Sequence, residues 1–136
     1  MKSRTTLLSL ALLTAGLTLG ACNKPQIASQ GARGIQAKYS MGRLSATLPA
    51  EATVPAVIAA ADQTARARGY TVVTNTATAE QGNLICRPPR SDSFPRVVIW
   101  ANRSASGTDT TLAMEPFGDQ DLCRSMLDGI LQRLGL

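Results

Sequence analysis

The chain has 136 residues, enough for one small domain, and its 14 Lys and Arg against 9 Asp and Glu leave a formal charge of +5. Hydrophobic residues make up 44% of it, three residues are Cys and none is His. Without an imidazole there is no Ser-His-Asp or Cys-His nucleophile pair, no His-bound zinc and no imidazole base, so most hydrolase and metalloenzyme designs are excluded.

Residues 1–21 read as a cleaved secretory signal peptide. Lys2 and Arg4 form a basic start, and residues 5–21 then run for 17 positions without a charge. That length is at the lower limit for crossing a hydrocarbon core of about 30 Å. The run also contains Gly16 and Gly20 and ends in small residues, as a processing site does. At its end, Leu19-Gly20-Ala21-Cys22 resembles the lipobox of bacterial lipoproteins, in which a branched residue and two small ones precede a Cys. The resemblance implies cleavage after Ala21, a diacylglyceryl group on the Cys22 sulfur and acylation of the new amine. Two or three acyl chains, at roughly 0.8 kcal/mol per buried methylene, hold a protein at a bilayer stably. Asn23 stands where such families use Asp for inner-membrane retention, which points to the outer membrane, facing the periplasm. Loss of the leader removes Lys2 and Arg4 and lowers the charge to +3, too mild for a nucleic-acid partner.

Residues 22–38 read as the lipidated Cys and a flexible tether, since 23–38 is polar and small, with Pro25, Gly31 and Gly34 and no periodicity. The folded domain is then expected over residues 39–136. Leu44, Ala46 and Leu48 alternate with Arg43, Ser45 and Thr47 before Pro49, the pattern of a half-buried strand. Val54, Val57, Ile58, Ala61 and Ala65 recur at helical spacing between Thr53 as N-cap and Gly69. Strands follow at 70–74 and 82–87, then a longer one at 94–102, whose Val97, Val98, Ile99 and Trp100 are consecutive. After a turn at 103–107 the chain returns through 108–114. From Asp119 the pattern is helical again, with Cys123, Leu127, Ile130 and Leu134 on one stripe. The order β-α-β-β-β-β-α predicts a two-layer α+β fold, an antiparallel sheet of about five strands with two helices on one face.

A wider resemblance rests on three stretches. Gly42-Arg43-Leu44 opens a strand, an Ala-rich helix ends in Arg68-Gly69-Tyr70, and Phe117-Gly118-Asp119 leads to Leu122, Arg124, Leu127-Asp128 and Ile130. Together they resemble a family of small bacterial lipoproteins known as a domain of unknown function. The resemblance covers nearly all of residues 39–135 and implies the same α+β layout, with no established activity. The chain departs from the pattern at Cys123, where a small residue such as Ser is expected, and at Pro88-Pro89.

With Cys22 lipidated, Cys86 and Cys123 form the remaining pair, and export favours a disulfide between them. It would close a 38-residue loop, worth about 3.5–4 kcal/mol in the chain-entropy model. A redox pair is the alternative, though the two lack a Cys-X-X-Cys spacing. Arg87, Arg90 and Arg96 surround Pro88-Pro89 and suit an anion site for a phosphate, a lipid headgroup or a carboxylate, against a solvated loop in which Asp92 offsets part of the charge. Val97, Ile99 and Trp100 belong to a strand apolar on both sides. Its side away from the helices is either an interaction face or is covered by a loop or the tether. Asp119 and Asp121 suit a helix N-terminus, and no acid–base pair, phosphate loop, Ser elbow or metal cluster stands out. No cofactor is expected. The expected role is that of a non-enzymatic envelope lipoprotein, anchored through Cys22, that contacts another envelope protein. A binding module for a small amphiphile or polyanion is the alternative.

Overall fold

The computed structural model describes residues 24–136. The expected signal peptide and Cys22 lie outside the described residues. The elements in chain order are β1 (Gln26–Gln30), β2 (Ile35–Ser40), β3 (Arg43–Leu48), α1 (Val54–Ala67), β4 (Thr71–Ala77), β5 (Gln81–Arg87), β6 (Arg96–Ser104), β7 (Gly107–Glu115) and α2 (Gln120–Leu134).

Local chemistry sets the helix ends where the sequence places them. The Thr53 hydroxyl accepts from the Ala56 N–H at 3.4 Å, Pro55 sits in the first turn, and α1 closes at Arg68 before the left-handed Gly69. Asp119 Oδ1 accepts from the Leu122 N–H at 2.9 Å to start α2, which ends at the left-handed Gly135. Each helix has one apolar stripe to bury. Val54, Val57, Ile58, Ala61 and Ala65 supply it on α1, and Cys123, Met126, Leu127, Ile130 and Leu131 on α2.

The seven strands form one antiparallel sheet in the order β1-β2-β3-β7-β6-β5-β4. Both helices lie on the same face, α1 over β4, β5 and β6, and α2 over β1, β3 and β7, with the two helices in mutual contact. The core between the layers is filled by Leu44, Leu48, Leu84, Ile99 and Leu112 from the sheet against the two helical stripes. The α+β class and the antiparallel sheet match expectation. The sheet has two more strands than the sequence pattern suggests.

Those two strands occupy the stretch that composition assigns to a flexible tether at 22–38, so the folded domain begins well before residue 39. Residues 26–30 pair with 35–39, and β2 in turn pairs with β3. The hairpin has little hydrophobicity of its own; it is held by the far end of the chain. Arg124 Nη2 donates to the Gln26 carbonyl at 3.1 Å, and Gln120 Nε2 to Gln26 Oε1 at 2.8 Å. At the turn, the Ala32 N–H donates to the Leu136 carbonyl at 2.8 Å, and Leu136 itself is buried.

Candidate functional site

Among the described residues, one face of the sheet meets no helix, and the strand register fixes which side chains it carries. Arg43, Ala113, Val98 and Ile85 form one row across β3, β7, β6 and β5. Ser45, Thr111, Trp100 and Asn83 form the next, and Thr47, Asp109, Asn102 and Gln81 the third. The first row is apolar at its centre, with Val98 and Ala113 buried beneath longer neighbours. Arg43 reaches across from β3 and lies over the Trp100 ring at 5.4 Å, a cation–π contact that roofs this row. Apart from Trp100 and the Asp109 carboxylate, the other two rows are lined by hydroxyl and amide groups. Trp100 forms part of a depression of about 340 Å³ with Thr76, Gln81, Asn83 and Asn102, and a second of about 390 Å³ lies across the sheet between Gln36, Ser45, Thr47, Asp109 and Thr111.

The expected interaction face is therefore corrected in its membership. Val97 and Ile99 are fully buried against the helices, because alternation along β6 sends them to the opposite side from Val98 and Trp100. Trp100 keeps its place on the open face, half-buried. The partners that the sequence reading lacked are Arg43, Asn83, Asn102 and Thr111, which become neighbours of Trp100 only once the order of strands is known.

Of the three arginines, Arg87 ends β5, Arg96 starts β6 and only Arg90 lies in the loop between them; Arg87 and Arg96 line a depression of about 250 Å³ together with Val73, Ile85, Asp92 and Phe94, and Arg90 is not among its walls. Arg96 is already engaged. Its Nε donates to Glu115 Oε2 at 2.7 Å and its guanidinium lies 4.8 Å from the centre of the Phe94 ring. Arg87 has a buried Nε with no hydrogen-bond partner.

Cys86 and Cys123 are both buried, as their apolar stripes require, but both are free thiols, so the expected cross-link is not formed. Cys86 lies on β5 beside Val97 of β6, and Cys123 lies on the buried stripe of α2. Burial pushes each thiol up to about 11. Such thiols are poor nucleophiles at neutral pH.

Among the described residues no group of three Cys, Asp or Glu side chains comes together as a metal site, and no helix is long and apolar enough to cross a membrane. Compared with known protein families the chain matches none, and the curated proteins likewise yield no significant match.

Proposed function

We propose that this protein is an envelope lipoprotein, anchored through acyl chains on Cys22, that works without catalysis by presenting its open sheet face to another envelope protein. The lipobox at residues 19–22 supports the anchor. The open face supports the interaction: a sheet surface that no second layer of the described residues covers, rich in Asn, Gln, Thr and Ser and centred on one half-buried Trp pinned by Arg43. Aromatic and Arg anchors ringed by polar groups are the composition that reversible protein interfaces favour.

A photo-crosslinking residue at Thr111 or Asn102, introduced in the native host, is expected to give one discrete protein adduct. The same group at Gln63, exposed on the outer side of α1, is expected to give none. No adduct from the sheet positions, or the same adduct from Gln63, would overturn the reading. The unpartnered Arg87 Nε beside Ile85, Val73 and Phe94 favours a second reading, in which that depression takes the acidic headgroup of a small amphiphile. Co-purified lipid lost on Arg87→Gln would mark that case.

A further inference from the structure

The large apolar side chains left in water among the described residues are Ile27, Met41, Val73, Phe94 and Phe117. The most exposed two, Met41 at 88% and Phe117 at 95%, stand on neighbouring loops, β2–β3 and β7–α2. Gly118 holds these loops together. A β-carbon at Gly118 would lie 2.9 Å from the Gly42 Cα and 2.8 Å from the Tyr39 hydroxyl, so the two backbones touch where a side chain would force them apart. Phe94, 53% exposed, lies at the same end of the sheet, because Arg96 at the start of β6 pairs with Glu115 at the end of β7. The turns at the opposite end, at 31–34, 78–80 and 105–106, carry none of the five.

Met41 also breaks a local rule. It and Gly42 have φ of 51° and 76° in the two-residue turn of a hairpin, where Asn, Asp and Gly are favoured and an unbranched apolar residue is not. A large apolar side chain kept in water on a turn that disfavours it points to a contact outside the chain.

The N-terminus reaches the domain at this same end. Lys24 lines one depression with Gln26, Tyr39, Met41 and Phe117. Cys22 precedes Lys24 by two residues, which can span at most about 7 Å. Because β1 starts at Gln26, acyl chains on Cys22 would be joined to the fold by only a few residues. An anchor at Cys22 would thus lie within reach of Met41 and Phe117. The cations near this end include Lys24, Lys38, Arg43, Arg87, Arg90, Arg96 and Arg124, with Arg66 and Arg68 at the end of α1, where Gly69 approaches Pro89. The acids are Asp92, Glu115, which is paired with Arg96, Asp119, which caps α2, and Asp121.

We propose that this end of the domain rests on the phospholipid bilayer, with Met41 and Phe117 entering the headgroup region beside the acylated Cys22 and Lys24 and Arg90 facing lipid phosphates. The inference rests on acylation of Cys22. Side chains of this kind, grouped next to a lipid anchor, bury to roughly 5–10 Å at the acyl boundary and add apolar and electrostatic contact to the hold of the acyl chains.

The test uses the full acylated chain, purified from cells that process it, in vesicles of phosphatidylethanolamine and phosphatidylglycerol. Single cysteines are placed by Met41→Cys, Phe117→Cys, Ala32→Cys and Ala105→Cys, all at exposed positions, and carry a fluorophore that lipid-borne nitroxide quenches. Quenching at 41 and 117 is expected to exceed that at 32 and 105 by about twofold or more. Equal quenching at all four sites, with the acyl mass present on Cys22, overturns the proposal alone. A product without acyl mass overturns the anchoring reading beneath it.

Discussion

Gly129 of α2 rests against Thr64 of α1 so closely that a β-carbon at position 129 would stand 2.6 Å from the Thr64 Cγ2. Thr64 cannot yield easily, being buried with its hydroxyl donating to the Ala60 carbonyl at 2.7 Å. Helix propensity alone favours Gly129→Ala by about 1 kcal/mol, whereas overpacking a fixed contact costs about 1–3 kcal/mol. The overpacking is expected to win, so Gly129→Ala lowers stability in a denaturant titration. Adding Thr64→Ala is expected to recover part of the loss, and a purely additive double variant would show that the two residues are not in conflict.

The two core thiols are expected to be inert in the native protein. With values pushed up to about 11 by burial, each is ionised in about one molecule per thousand at pH 8, and access is closed as well. Mass-mapped alkylation should label neither Cys86 nor Cys123 in buffer and both in guanidinium without added reductant. Native labelling of either one contradicts the packing described for it.

Asp62 carries a pH dependence. The hydrogen bond from Arg66 Nε at 2.8 Å holds its carboxyl below the usual range, helped by Asn75 Nδ2 at 3.1 Å from β4. A carboxyl lowered in the native state adds stability that is fully present above its unfolded value near 4 and is lost as pH falls through the native value. Asp62→Asn is therefore expected to cost about 0.5–1 kcal/mol at pH 7 and progressively less in acid. A cost that stays constant from pH 7 to pH 3 would assign the effect to the amide rather than to the charge.

Thr108 ties the sheet to the segment that enters α1. Its hydroxyl donates to the Ala52 carbonyl at 2.6 Å, with both residues buried. Thr108→Val keeps the shape and strands that carbonyl, at an expected cost of about 1–3 kcal/mol by chemical denaturation. An unchanged midpoint would mean that water reaches Ala52.

Met41 sets stability against contact. Asn suits its left-handed backbone better, so Met41→Asn is expected to stabilise the isolated protein by about 0.5–1 kcal/mol. The same change should weaken vesicle contact at that end. Lower thermal stability in the variant would show that Met41 serves the fold rather than the surface.

The helices and the strands from β3 onward were readable because their signals are local. Thr53 and Asp119 cap where they should, Leu44, Ala46 and Leu48 alternate, and Gly69 ends α1. The β1–β2 hairpin was hidden because what fixes it is distant: Gln26, Gly31 and Ala32 are held by Gln120, Arg124, Asp128 and Leu136. Its inward positions include Gln26, Ala28 and Gln30, which read as polar linker when their partners are unknown. The open face was half readable. Apolarity on both sides of β6 marked it, but parity had to assign Val98 and Trp100 outward and Val97 and Ile99 inward, and parity depends on where the helices lie. Met41 and Phe117 gave no signal in sequence, since one exposed Met and one exposed Phe are unremarkable until the loops that bear them are seen side by side.

The sheet is assembled from two meanders, β1-β2-β3 and β4-β5-β6-β7, that meet only where β3 lies along β7. That seam joins Arg43 to Ala113 and Leu48 to Thr108, partners about sixty to seventy residues apart, while every other pairing closes a hairpin. Refolding thus divides into quick local events, on the order of microseconds for each hairpin, and one slow search that zips the halves together. Until that search ends, β3 and β7 each show an unpaired edge, so this interval is when the chain is most prone to stick to its own copies.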